Sequence, residues 1–173
     1  MSFAQLLAAN KQAILESWFQ ATVDSYPAET ARFIKNQKDP FANPVGQTTY
    51  QSLDKLVDAL ISGAGRDVMT RAIDPILRIR AVQSFTPSKA TVFVFSLKQI
   101  LRQHLSDDGR DGGVDMNDLD RRIDEMAMAA FDIYVACREK IYELKATESR
   151  NQFFGSLKRA GLIDETEADG PGF

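Results

Sequence analysis

A chain of 173 residues, 44% hydrophobic and 26% charged, is long enough for one buried core and is not the composition of a disordered polymer. Its formal net charge of -3 gives no attraction to a polyanion, so nucleic acid is not an expected partner. The single cysteine, Cys137, excludes an intramolecular disulfide, the N-terminus lacks a basic-then-apolar secretion signal, and the most apolar stretch, 90–101, is too short and too polar for a membrane span; the expected location is the cytoplasm.

Phe3, Leu7, Ile14 and Trp18 recur at helical spacing, which predicts a first helix ending near Ser25-Tyr26-Pro27, because the residue before a proline is driven out of the α region. A short helix is expected over Ala28–Lys35, then a loop over Asn36–Gly46 with Asp39-Pro40 and Asn43-Pro44. Its apolar residues Phe41 and Val45 should fold down onto the core. Thr48–Ile61 presents Leu53, Leu56, Val57, Leu60 and Ile61 on one side and reads as a helix closed by Gly63 and Gly65. Between Arg66 and Phe85, Asp74-Pro75 predicts a short helix followed by a second; a single helix kinked at Pro75 is the alternative.

Thr86-Pro87 is a helix start, and Pro87–Leu105 is apolar on most sides, as expected of a central, surrounded helix. An acidic, glycine-rich turn over 107–115 precedes a long helix from about Asn117. Leu119, Ile123, Met126, Ala130, Ile133 and Cys137 form a heptad stripe along it, continued after one extra residue by Ile141 and Leu144. A second stripe, Ala127, Phe131 and Tyr134, runs along the first half only. That half should be buried on two sides, whereas Ile141 and Leu144 should cover a single seam. No segment alternates as a strand does. The expected architecture is all-α: a bundle of six to eight helices over residues 1–160 with a long C-terminal helix, then an acidic flexible tail over 161–173. Trp18, Phe93, Leu97, Ile123 and Phe131 are the expected core.

No catalytic, cofactor or metal site is legible. His104, the one histidine, sits at a helix end, where the C-terminal dipole favours it without any ligand, although an all-α domain of this size raises haem ligation as a competing reading. Cys137 lies on the apolar stripe and reads as a small buried residue. Asp107-Asp108-Gly109-Arg110-Asp111-Gly112 resembles a calcium loop only faintly, since Arg110 occupies a ligand place and the twelfth position is Asp118 instead of glutamate. Gly63-Ala64-Gly65 lacks the lysine and serine of a phosphate loop. Arg78, Arg80, Lys98 and Arg102, on two otherwise apolar helices, are a candidate contact for an anion or an acidic partner; the alternative is basic side chains reaching from a buried helix to water.

Trp18 with Tyr26-Pro27, the run Asp39-Pro40-Phe41-Ala42-Asn43-Pro44-Val45-Gly46, the run Ile79-Arg80-Ala81-Val82-Gln83 with Phe85-Thr86-Pro87-Ser88-Lys89-Ala90, and Leu97-Lys98 together resemble one family, over residues 10–148. It is the N-terminal domain of the RsbT co-antagonist proteins of the RsbRD type. The resemblance implies a globin-like helical fold without haem, an input role in stressosome-type signalling, and dimerisation. Those proteins continue into a STAS output domain, whereas this sequence stops soon after the long helix and reads as a free-standing copy. The expected function is a non-enzymatic sensor or interaction module, without cofactor, acting as a homodimer with an unnamed protein partner. Free-standing copies occur in anaerobic sulfate reducers, so an accessory role in an anaerobic redox complex stays open beside it, as does a haem-binding globin.

Overall fold

Helical periodicity without alternation gives seven α-helices and no strand among the described residues of the computed structural model, which are 3–83, 85–105 and 116–163. In chain order they are α1 (Phe3–Ala9), α2 (Lys11–Val23), α3 (Ala28–Asn36), α4 (Pro44–Ile61), α5 (Arg66–Val82), α6 (Pro87–Leu105) and α7 (Met116–Arg159). The segments 106–115 and 164–173, which contain the calcium-like loop and most of the acidic tail, lie outside the described residues.

The structure divides into two compact units inside α7, between Cys137 and Arg138. In the first unit α2, α4, α5 and α6 form a closed ring of neighbours: α2 packs on α4 and α6, and α5 packs on the same two helices. Trp18 from α2, Leu53 and Leu56 from α4, Ile73 and Leu77 from α5, and Phe93 and Leu97 from α6 are fully buried there. Leu119, Ile123, Met126, Ala127, Ala130 and Tyr134 of α7 are buried as well. Lys98 pairs with Asp124 at 2.7 Å and Arg102 pairs with Asp120, so ion pairs flank this apolar seam between α6 and α7.

Several boundaries differ from expectation for physical reasons. The N-terminal segment is two helices, α1 and α2, broken at Asn10, whose side-chain amide donates to the Leu6 carbonyl at 3.0 Å. Helix α5 runs unbroken through Pro75. An interior proline costs a helix about 3 kcal/mol, and burial of Met69, Ala72, Ile73, Ile76 and Leu77 along one face offsets that. Helix α4 starts at Pro44, earlier than the apolar pattern suggested, because Asn43 caps it. Phe41 is 96% exposed instead of folded onto the core, and Phe131 is 44% exposed instead of buried. Val92 and Phe95 of α6 are also exposed, so that helix is covered on one broad face but is not surrounded.

In the second unit, α7 continues to Arg159 and stops at Gly161, whose φ of 68° is the left-handed conformation that glycine adopts without strain. The amide of Leu162 donates back to the Leu157 carbonyl at 3.0 Å, and that of Gly161 donates to Lys158 at 3.1 Å, closing the helix end. Most side chains among the described residues of this unit are exposed; Ile141 and Leu157 are among the half-buried ones.

Candidate functional site

Arg80 is the residue whose placement is least expected of its chemistry. It lies in the last turn of α5, fully buried, among the rings of Tyr26, Phe85 and Phe93, whose centroids are 5.5, 5.0 and 4.7 Å from the guanidinium carbon. One terminal nitrogen donates to the carbonyls of Lys89 at 3.0 Å and Ala90 at 3.3 Å. The other donates to the Thr22 carbonyl at 2.9 Å and to the Ser25 hydroxyl at 2.8 Å. No carboxylate pairs with it among the described residues, and its Nε is buried without a hydrogen-bond partner. The Thr22 carbonyl at the negative end of α2, the Lys89 and Ala90 carbonyls of α6 and the faces of three rings take the place of a counter-ion. Burial pulls the guanidinium below its ordinary pKa, while neighbouring Tyr26 pushes the other way. Burial likewise raises the Tyr26 phenol, against the opposing pull of Arg80.

The same node collects the rest of the two distant sequence blocks. The Tyr26 hydroxyl donates to Gln83 Oε1 at 3.0 Å, its ring meets Phe85 edge-on at 5.0 Å, and the Trp18 indole N–H donates to the Phe93 carbonyl at 2.8 Å. Tyr134 of α7 donates to the Phe85 carbonyl. The third block makes the α3–α4 corner. Buried Asn43 donates to the carbonyls of Ile34 at 2.8 Å and Gln37 at 3.0 Å, and its Oδ1 accepts from the Gly46 amide at 2.9 Å. A Cβ at position 46 would stand 2.3 Å from the Asn43 amide nitrogen, which is why glycine is needed there. The buried residues of these blocks therefore serve packing and capping, whereas Phe41 and Val82 stay exposed.

Of the four basic residues considered as an anion or partner contact, the structure does not bring all together. Arg80 is sealed in the core. Arg78 is on the surface and pairs with Asp74 at 2.6 Å, one turn earlier in α5. Lys98 and Arg102 do share a face of α6, where they meet Asp124 and Asp120 of α7. His104, in the last turn of α6, shares a 3.0 Å hydrogen bond between its Nε2 and the Ser17 hydroxyl of α2. Cys137 is half-buried. No group of three or more His, Cys, Asp and Glu side chains able to hold a metal occurs among the described residues, and no helix among them is long and apolar enough to cross a membrane.

Two surface cavities border the first part of α7. The larger, about 460 Å³, lies between Arg66 and a wall of Asp120, Arg121, Asp124 and Met128. A smaller one, about 220 Å³, lies under the α4–α5 turn at Gly63–Gly65. Their charged walls close on themselves: Arg121 pairs with Asp118 and Glu125, and Arg122 donates to the Ala64 carbonyl at 3.1 Å. In the second unit an open groove of about 810 Å³ runs along α7 past Leu144, Thr147, Asn151 and Gly155.

Comparison with known proteins decides the family. Residues 12–149 match the RsbT co-antagonist protein rsbRD N-terminal domain. The chain belongs to that family. The matched range begins in α2 and ends inside α7, so it takes in the Arg80 node, the Asn43 corner and the Ile141–Leu144 seam. A protein of Archaeoglobus fulgidus described only as uncharacterized is 27% identical over 146 residues, covering 80% of this chain and 84% of its own length. No solved structure matches. Sequence reasoning found the family blocks but not the use of Arg80. An arginine within an apolar run, five residues before aromatic Phe85, was the available signal.

Proposed function

We propose that this member of the rsbRD N-terminal domain family is a non-enzymatic input module of the stressosome type: a globin-like, haem-free helical domain that acts in the cytoplasm as a homodimer and passes its state to a protein partner. The carrying observation is that Tyr26, Arg80, Phe85 and Asn43 of the family blocks are used in tying α2, α5 and α6 together and in capping α4 against α3, while α7 leaves later apolar positions such as Leu144 exposed. Leu144 is 59% exposed and Ile141 half-buried on one face, beside charged Arg138, Glu139, Lys140 and Glu143. A narrow apolar seam with a charged remainder suits a partner helix, and two-fold symmetry makes the same helix of a second copy a natural one. The groove continuing that face past Thr147, Asn151 and Gly155 also carries Glu148, Gln152 and Arg159, so a partner there would meet polar and charged side chains beside Leu144.

Sedimentation at tens of micromolar tests the dimer: a wild-type dimer and a folded monomer on Ile141→Asp with Leu144→Asp are expected, and a wild-type monomer would sink the seam. Titration of the purified chain against STAS-domain proteins from the same cell tests the signalling role. Saturable binding is expected there; co-purification with redox-enzyme subunits and no STAS binding would favour the accessory role.

A further inference from the structure

Phe85, in the connection between α5 and α6, meets the Arg80 node with its amide and ring and meets α7 with its carbonyl. The amide donates to the Arg80 carbonyl at 3.3 Å, and the ring lies against both the guanidinium and Tyr26. The carbonyl accepts from the Tyr134 hydroxyl. Among the described residues Tyr134 is the last fully buried position of α7. Val135 and Cys137 beyond it are half-buried, and the first unit ends at Cys137. The Tyr134 hydrogen bond therefore stands at the end of the stretch of α7 that the first unit buries.

The guanidinium bridges α2 and α6: one terminal nitrogen bonds to Thr22 and Ser25, the other to the carbonyls of Lys89 and Ala90. Its donors point in fixed directions, so a shift of α2 against α6 cannot keep all of these bonds. Phe85 is packed on that guanidinium and bonded to the backbone of the same residue, so it follows any turn of the node in a close-packed core. The buried Nε has no partner, so the present arrangement leaves one donor unsatisfied and a second arrangement has a bond to gain. Such cores pass between discrete packings instead of deforming smoothly. We propose that Phe85 is a positioning residue that couples the packing of α2, α5 and α6 around Arg80 to the last buried turn of α7, through the Tyr134 hydroxyl. A stimulus that displaces α2 or α6 then changes how firmly α7 is held at the end of its buried stretch. The coupling rests on the input-module reading for its purpose alone, since the contacts lie within one unit and involve no partner.

The test is a double-mutant cycle read by amide hydrogen exchange on the full chain, because a chain of contacts by itself does not demonstrate coupling. Ser25→Ala disturbs the node from the turn after α2, where Ser25 bonds to Arg80 and Thr22, and Tyr134→Phe removes the hydroxyl that meets Phe85. Both are small truncations that leave the ring packing and the apolar core in place, which circular dichroism checks; Arg80→Lys is the stronger disturbance of the same node. Tyr134→Phe is expected to speed exchange of the α7 amides over 131–138 about fivefold or more, at the lower end of coupling between linked sites. Ser25→Ala should speed the same amides, and should add nothing once Tyr134 is phenylalanine. Amides of α4 over 53–60, which lie outside the node, should keep their rates. An unchanged 131–138 segment in both Ser25→Ala and Arg80→Lys would overturn the proposal. So would an equal effect of Ser25→Ala with and without the Tyr134 hydroxyl, or acceleration of α4 to the same degree, which would mean loss of global stability only. No partner enters the measurement, so its failure would leave the input reading standing, and a missing partner would leave the coupling standing.

Discussion

Arg80 shows how a charge can sit in an apolar core without an ion pair. Its terminal nitrogens satisfy four acceptors from α2, α6 and the turn after α2, so removing it orphans those acceptors and leaves a cavity as well. Arg80→Ala should therefore cost about 3 kcal/mol or more, measured by urea unfolding. A loss under about 1 kcal/mol would mean the node is not the clamp its geometry suggests. Tyr26 gives a pH signature in the same place. Its phenol is raised from an ordinary value of 10.0, burial being the largest cause, so the folded state holds that proton more tightly than the unfolded state does. The sign follows: this contribution is fully present below about pH 10 and is lost as pH rises through the higher folded value. Spectrophotometric titration should show a late tyrosine ionisation that Tyr26→Phe removes.

Among the elements, the α3–α4 corner is the one most tightly specified by its own residues. Asn43 at the cap position, Pro44 at the first helical position and Gly46 form one local device, with the Asn43 side chain folded over Gly46. Gly46→Ala would push a Cβ into that side chain and should cost about 1–2 kcal/mol, as loss of a cap does, and Asn43→Ala about as much or more, because two carbonyls also lose their donor. Thermal melts of the two single variants and the double variant check this. If the two changes act through one device, the double variant should lose much less than the sum. Helix α5 teaches the opposite lesson. The Asp74-Pro75 pair carries a genuine start signal, but the buried face running from Met69 to Leu77 outweighs it.

At the scale of the molecule, His104 bears on the haem question. Its Nε2 is engaged with Ser17 across the α2–α6 contact, which ties the end of α6 to the ring of helices. The purified protein is expected to be colourless, and His104→Ala should leave its visible spectrum unchanged while costing about 1 kcal/mol of stability. Haem retained through purification and lost in that variant would overturn the prediction. The proposed dimer seam belongs to this scale too, since it would use surface that the first unit does not need for its own core.

The helical class, the position of α6 and the long α7, and the burial of Trp18, Phe93, Leu97 and Ile123 were legible without any fold, because 3.6-residue periodicity and cap residues are local signals. The sequence also carried the family, through blocks of residues that include the Arg80 node and the Asn43 cap. Tertiary structure alone decided what each side of a helix meets. Phe131 sits on an apolar stripe like its buried neighbours, yet it stands 44% exposed, and Phe41 is an apolar residue in a loop whose corner Asn43 already closes. Arg80 was legible only as a basic residue. Whether such a side chain reaches water or is sealed under three rings depends on groups up to 58 residues away in the chain, and only the packed bundle brings those together.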